Sequence, residues 1–439
     1  MTTNFRDGTL ADKVTTMSIK LETCWNELKA IVEADHLYRA TSADEIDGVG
    51  SQVIVRPGNA SEVAHVLNIA NSAGLRVAPR GGGTKMSWGN TPRRVDIILS
   101  TKRLDQVIEH AWADMTVTVE AGCTVARLQK TLAEHGQHLA LDPLWPERAT
   151  IGGILATNDN GALRLRYGSL RDLIIGITVA LPVGTIAKSG GKVVKNVAGY
   201  DLPKLMTGAL GTLGVITEAT FRLYPLAREA RTLSFTATTM EAVNNLALAI
   251  HDSALAPTSV QIRARGDDSP QLDVRVESST KEALEAHIAQ LLEMAQDTKR
   301  IEFISGTWSA REKLWNNAET ALVCKFGVLP TQLSQLYDIL RRIATPFEIA
   351  WQMVVQSIGV GTLRLEAPRE ESLLKALESL RTELKECGGS LIVLRCPPEM
   401  KTRVEVWGTD SDALPLMRRV KEQFDPAGVL NPGRFVGGI

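Results

Sequence analysis

Glycine is the residue whose placement most constrains this chain. Of its 35 glycines, 22 fall between Gly48 and Gly214, about one residue in eight there against about one in twenty elsewhere. Glycine lets backbone turn sharply, or come close to another group with no side chain in the way. That stretch is therefore the first place to look for ligand chemistry. The remaining composition is ordinary for a folded protein, with 44% hydrophobic and 23% charged residues, which excludes collagen-like, disordered and disulfide-scaffold classes. At about 100–200 residues per domain, 439 residues point to two to four domains. Forty-nine basic residues against fifty acidic ones leave a net charge of -1, so there is no general electrostatic attraction to nucleic acid or to an anionic membrane.

The opening MTTNFRDGTL has neither the apolar core nor the cleavage site of a secretory signal, and the mature chain is expected to start here. The most apolar run, from Leu173 to Ala187, is broken by Pro182 and two glycines and falls short of the roughly 20 residues that span a bilayer. A cytoplasmic protein without a transmembrane segment is expected. Cys24, Cys123, Cys324, Cys387 and Cys396 are scattered and never in Cys-x-x-Cys spacing, which reads as reduced thiols rather than ligands of an iron–sulfur cluster.

Apolar residues at helical spacing predict a helix over 17–35. Val53 to Val55 reads as a strand, and Asn59 with Glu62 as a capping box opening a helix. Leu75 to Ala78 and Asp96 to Leu99 are strands on either side of a glycine loop. A strand pair spans Val107 to Glu120, Thr124 caps a helix, and Ile174 to Leu181 and Val215 to Leu223 are later strands. This mixture is α+β. Beyond Pro225 a β-α-β-β-α-β order occurs twice, through helices 240–252 and 281–296 and then 331–343 and 370–386, implying two split β-α-β units side by side or in one continuous sheet. Expected divisions are an N-terminal helical segment at 1–47, a ligand-binding domain at 48–225, a cap at 226–415 and a closing segment at 416–439 that returns to the first domain.

The strongest local signal is the loop Pro79, Arg80, Gly81, Gly82, Gly83, Thr84, Lys85 between two strands. Successive N–H groups of such a loop can converge on one phosphate, with Arg80, Thr84 and Lys85 adding contacts. It does not fit G-x-x-x-x-G-K-[ST], because Met86 follows Lys85, and no G-x-G-x-x-G follows a strand. A bare glycine hairpin is the simpler alternative. Two further small-residue segments weigh against that: Thr150-Ile-Gly152-Gly153 with Ala156, Thr157 and Gly161, and Gly208-Ala-Leu-Gly211-Thr-Leu-Gly214-Val215-Ile216. Three such segments suit a long diphosphate lying against backbone, as a dinucleotide does.

The strings PRGGGTK, ATIGGILATNDNG, LRYGSLRD, KNVAGYDLPKLMTGALGTLGVITEA and FDPAGVLNPGR resemble the vanillyl-alcohol-oxidase (PCMH) type of FAD-binding domain and its flavin-linked 2-hydroxy acid dehydrogenases. The central string is most similar to FAD-binding subunits of bacterial glycolate oxidase (glycolate dehydrogenase) complexes. The resemblance implies FAD with its pyrophosphate on Arg80 to Lys85. Asp142, Pro143, Thr150, Gly152, Gly153, Ala156, Thr157 and Gly161 would line pyrophosphate and ring, Gly214, Val215 and Ile216 the adenosine, and Asn431 the flavin edge. Some relatives tether the flavin to a histidine after the glycines; Thr84 stands there, so non-covalent FAD is expected.

Oxidation of a 2-hydroxy acid needs a carboxylate clamp, a base for the hydroxyl proton and a flavin against the α-carbon. All seven histidines lie at or before His287, and the histidines that metal-using relatives carry in cap and C-terminal segment are missing. No metal is expected. Catalytic candidates are Lys195 and Tyr200, in KNVAGYD with Asn196 and Asp201, together with Lys325 and Arg434. A turn stabilised by Asp201, and basic side chains that merely cover surface, are the plainer readings. The resemblance thus implies a flavin subunit partnered by a larger flavoprotein catalytic subunit and an iron–sulfur subunit, at the inner membrane only through those partners. The alternatives are a self-sufficient FAD-dependent D-2-hydroxy acid dehydrogenase and a structural subunit with a degenerate pocket.

Overall fold

The structure, a computed structural model, describes residues 22–191, 199–301, 306–317, 320–408 and 412–439. A helix over residues 22–32 precedes a four-stranded sheet of order Leu37–Arg39, Val53–Val55, Ile97–Ser100, Val77–Arg80. Val53–Val55 and Val77–Arg80 both run parallel to Ile97–Ser100, so each connection needs a crossover. Helix Ala60–Ala73 makes one of them. It starts where Asn59 accepts the Glu62 N–H at 2.9 Å and the Glu62 carboxylate accepts the Gly58 N–H at 2.7 Å, and it stops at left-handed Gly74. The glycine loop therefore leaves the sheet from the end of its edge strand. That edge is not bare: Leu430 of the closing segment bridges to Val77 in parallel.

A second sheet of five antiparallel strands has the order Val107–Ala111, Thr116–Glu120, Val215–Arg222, Ile174–Ala180, Ile186–Gly190. Its inner face and the helix Val125–Ala133 bury Val117, Val119, Leu128, Leu132, Ile177 and Phe221.

The cap is one continuous antiparallel sheet of eight strands. In each set of four the last strand lies outermost, and Ser259–Arg265 of the first set pairs with Ala350–Gln356 of the second in the middle. Strand alternation then sorts the side chains. Leu322, Cys324 and Phe326, with Trp351, Met353 and Val355, face the helices Met240–Asp252, Lys281–Met294, Leu333–Ala344 and Glu370–Glu386 in one apolar core. Lys325, Val354, Gln356 and Thr362 take the opposite face, toward the first domain. A helix at Leu414–Phe424, not anticipated from the sequence, leads into the Pro- and Gly-rich tail; Pro415 sits in its first turn, where an N–H would have no intrahelical partner anyway.

Candidate functional site

Two clefts border the short helix Ile151–Thr157, one along its small residues Gly152, Gly153 and Ala156 and the other beyond its C-terminal Asn158. Thr150 caps that helix by accepting the Gly153 N–H at 3.3 Å, and left-handed Asn158 ends it. The narrower cleft, about 510 Å³, is walled by Pro79, Arg80 and Gly81, by Gly152, Gly153 and Ala156, and by Leu210, Gly211, Gly214, Val215 and Ile216. The three glycine segments of the sequence thus meet around one space. They meet because they can come close. A Cβ on Gly81 would sit 2.1 Å from Thr150 Oγ1, and one on Gly82 would sit 1.8 Å from the Arg148 carbonyl oxygen. Arg80 is held by Asp44 at 2.9 Å; burial alone would raise the Asp44 carboxyl, but the hydrogen bonds from Arg80 and Thr41 bring it below its ordinary range.

The larger cleft, about 800 Å³, lies between this domain and the polar face of the cap sheet. Asp159 is its buried hub: the carboxylate accepts the Leu144 N–H at 2.8 Å and pairs with Lys85 and Arg311, each at 3.1 Å. Burial would raise Asp159, yet Arg311 and Lys85 outweigh it and hold the carboxyl below its usual value. Lys85 itself is pulled below the ordinary lysine range by burial, in spite of Asp159. Arg311 comes from the cap, so this triad ties the two domains together. It also donates to the carbonyls of Asn160 and Asp142. The Asp142 carboxylate accepts the N–H groups of Ala162 at 2.7 Å and Leu163 at 3.2 Å, and burial pushes it up to about 6 against the pull of Arg311 and those N–H groups.

Two cations lining this cleft, Arg164 and Lys325, have no hydrogen-bond or ion-pair partner among the described residues. Burial first, and then Arg311 and Arg164, push the Lys325 ammonium below its ordinary range, with Asp159 opposing.

Pro79, Arg80, Gly81, Gly152, Gly153, Ala156, Gly214, Val215 and Ile216 line the narrower cleft, and Asp142, Pro143, Gly161 and Lys325 the larger one. Gly82, Gly83, Thr84, Thr150 and Thr157 are not among the residues that line either cleft; Thr150 and Thr157 serve the helix beside them, Thr157 Oγ1 donating to the Gly153 carbonyl at 2.8 Å. Lys85 is turned into the Asp159 pair, because a buried ammonium without a counter-charge is costly. Asn431 is buried and donates to the Leu210 carbonyl at 2.7 Å, which pins the closing segment behind the third glycine run. Arg434 is fully enclosed, pushed down to about 10 by burial, and donates to the carbonyls of Met86 and Trp88. Tyr200 is 88% exposed and outside both clefts, Asp201 caps the helix Leu202–Met206, and Lys195 and Asn196 lie outside the described residues. Sequence reasoning passed over Asp159, Arg164, Arg311 and Gln356. Asp159 was detectable as an acid inside a small-residue segment; the other three carry no local signal.

The donor set suits a dinucleotide: a glycine-walled trough with apolar Val215 and Ile216 beside it, and a second cleft lined by polar and charged side chains just past the helix. Residues 51–190 match the family described as the FAD binding domain, and residues 407–435 the C-terminal domain of FAD linked oxidases. Among solved structures the chain superposes on p-cresol methylhydroxylase with a TM-score of 0.75 over 95% of this chain and 96% of that one, at 14% identity. The fold is therefore the PCMH type of FAD-binding fold, α+β throughout, and its cofactor is FAD. Curated relatives narrow the class. The chain is 28% identical to D-lactate dehydrogenase of Archaeoglobus fulgidus (88% of this chain, 91% of the relative) and 26% identical to glycolate oxidase subunit GlcD of Bacillus subtilis (87% and 88%). It is 30% identical to the mitochondrial D-2-hydroxyglutarate dehydrogenase of Bos taurus, over 88% of this chain and 77% of that one. The chain belongs to the family of FAD-linked 2-hydroxy acid dehydrogenases. No helix among the described residues is long and apolar enough to cross a membrane, and none of the described His, Cys, Asp and Glu residues form a group of three or more that could hold a metal ion. All five cysteines are unbridged thiols, four of them buried.

Proposed function

We propose that this chain is the FAD-carrying subunit of a glycolate dehydrogenase complex, taking part in the oxidation of glycolate to glyoxylate. A larger flavoprotein subunit supplies the acid–base residues, and an iron–sulfur subunit takes the electrons onward. The observation that carries this reading is a mismatch within one site. The cleft beside the flavin-binding segments holds cations suited to a carboxylate, yet among the described residues no histidine lines it. The likeness to glycolate oxidase subunit GlcD supports the same reading.

Bound FAD would accept the hydride from the substrate α-carbon. The chain's own residues do the positioning. Gly81, Gly152, Gly153 and Gly214 let backbone approach the diphosphate side, and Val215 and Ile216 supply apolar contact. The Lys85–Asp159–Arg311 triad holds the cap against the first domain and so sets the width of the larger cleft. Thr84 offers no ring nitrogen for a covalent tether, so acid precipitation should release all flavin into the supernatant.

One observation favours a second reading, a self-sufficient D-2-hydroxy acid dehydrogenase: Lys325 is an amine whose ammonium has no partner among the described residues and lines the larger cleft, and burial lowers its pKa in the direction a base requires. Anaerobic mixing of the FAD-loaded full chain with glycolate and with D-lactate separates the two. A yellow protein that neither acid bleaches fits the first; rapid bleaching would refute it in favour of the second. A chain that stays colourless after incubation with FAD would refute both. Co-purification with a tagged copy adds the partner test, since iron–sulfur bands should accompany the flavin bands.

A further inference from the structure

We infer that Asp44 is a positioning residue for FAD, bracing the glycine loop from a segment that precedes the FAD-binding domain. The matched domain starts at residue 51, and Asp44 lies before it. The segment that carries Asp44 is nonetheless fixed to the first sheet of that domain. Ile46 is buried with Ala78 and Ile98 on one face of the sheet, while Val77 and Ile97 face the helix Ala60–Ala73 on the other. Side chains two residues apart in a strand share a face, so Arg80 follows Ala78 to the side of this segment and meets Asp44 there.

The two oxygens of Asp44 have separate tasks. Oδ2 accepts the Thr41 N–H at 3.1 Å and the Thr41 hydroxyl at 3.0 Å, which fixes the carboxylate, and Oδ1 accepts Arg80 Nη1 at 2.9 Å. Arg80 pairs with no other acid among the described residues. Its Cδ is the nearest atom to where a Cβ on Gly83 would stand, at 3.8 Å, so the held side chain runs alongside the loop. The far end of the loop has its own anchor in Lys85 and Asp159, at 3.1 Å. Between the two anchors the N–H groups of Gly81, Gly82, Gly83 and Thr84 have no hydrogen-bond partner among the described residues. Gly83 has a φ of +76°, and a turn with a left-handed residue lets successive N–H groups gather round one anion. The narrower cleft reaches this loop at Gly81. A loop held at both ends before the ligand arrives saves the ligand the cost of ordering it, and Asp44 is the hold at the root. Charge alone argues for the opposite effect. Asp44 sets a negative charge beside the seat of a diphosphate, so neutralising it would tighten FAD if repulsion were its only influence. The sign of the change therefore separates bracing from electrostatics.

The test titrates the full apo chain with FAD, followed by flavin fluorescence, beside urea unfolding of the same preparations to show that each variant is folded. Asp44→Asn should weaken FAD by about tenfold, whereas Asp44→Glu, which keeps a carboxylate, should stay within about threefold of wild type. Arg80→Met should weaken FAD to a similar degree. Because Asp44 acts through Arg80, adding Asp44→Asn to Arg80→Met should change the affinity by less than about twofold. Unchanged or tighter FAD binding by Asp44→Asn overturns the inference, and so does a double variant in which the two losses multiply. Should Asp44→Asn fail to fold, Thr41→Val decides, since it removes one of the two donors that fix the carboxylate and spares the pair with Arg80. Weakening of FAD by about threefold or more is then expected, and a smaller change overturns the inference. None of these outcomes depends on which acid is oxidised or on which of the two readings of the function holds.

Discussion

Replacing the loop glycines one at a time separates close approach from turn geometry. At Gly82 a Cβ would lie 1.8 Å from the Arg148 carbonyl oxygen, where ordinary contact begins at 3.4 Å. Both sides of that clash are backbone, so the loop and the segment before Thr150 must part by roughly 1.5 Å, and the cost falls at the upper end of overpacking, about 3 kcal/mol. At Gly83 the nearest atom is Arg80 Cδ at 3.8 Å, but φ is +76°, so Gly83→Ala meets only the left-handed penalty of about 1 kcal/mol. Gly81 differs again. Its Cβ would meet Thr150 Oγ1 at 2.1 Å, and that hydroxyl is removable. Thr150→Ala alone should cost about 1 kcal/mol by uncapping Ile151–Thr157, yet it should relieve most of the damage of Gly81→Ala and none of that of Gly82→Ala. Urea unfolding followed by tryptophan fluorescence on the apo chain measures stability, and titration with FAD measures the consequence for the narrower cleft. The reasoning is refuted if Gly82→Ala stays within 1 kcal/mol of wild type, or if Thr150→Ala and Gly81→Ala are simply additive.

Asp159→Asn leaves Lys85 and Arg311 buried without their counter-charge and should cost about 3 kcal/mol in urea unfolding, with Lys85→Met in the same chain restoring at least 1 kcal/mol; a change under 0.5 kcal/mol would show that the triad does not join the domains. Asp142, at about 6 when folded against 3.8 in an unfolded chain, holds its proton more firmly in the folded state, so its stabilising contribution is complete below pH 3.8 and is lost as pH rises through about 6. At most about 3 kcal/mol should disappear over that window in the apo chain, and Asp142→Asn should flatten the difference between unfolding curves at pH 4 and pH 7. Tyr200→Ala, at an 88% exposed position outside both clefts, should leave stability within 0.5 kcal/mol and FAD affinity within twofold; a tenfold loss of FAD binding would place Tyr200 in the site.

What was legible in the sequence follows from how far each constraint reaches along the chain. Glycine acts through its own backbone, so PRGGGTK, TIGG and GALGTLG declare a requirement for close approach even before their mutual contact is known. The repeated β-α-β-β-α-β order is also local, and alternation alone separates Lys325 from its neighbours Cys324 and Phe326. Whether the two sets stand apart or share one sheet depends on Ser259–Arg265 meeting Ala350–Gln356, almost a hundred residues apart, and nothing in either segment specifies that. Charges are harder still. Lys85 looks like a phosphate ligand by its place after the glycines, but its role is set by Asp159 and by Arg311 from the far domain. Arg434 likewise invites a ligand reading until its donors are found on the carbonyls of Met86 and Trp88. Arg164 and Gln356 carry the opposite lesson. Each is an ordinary polar residue in its own segment and becomes distinctive only because the fold brings it to the cleft while leaving the Arg164 guanidinium and the Gln356 Oε1 without a partner among the described residues. A charged or polar side chain is thus informative about function through what remains unpaired after folding, and that remainder is a property of the assembled site rather than of any stretch of sequence.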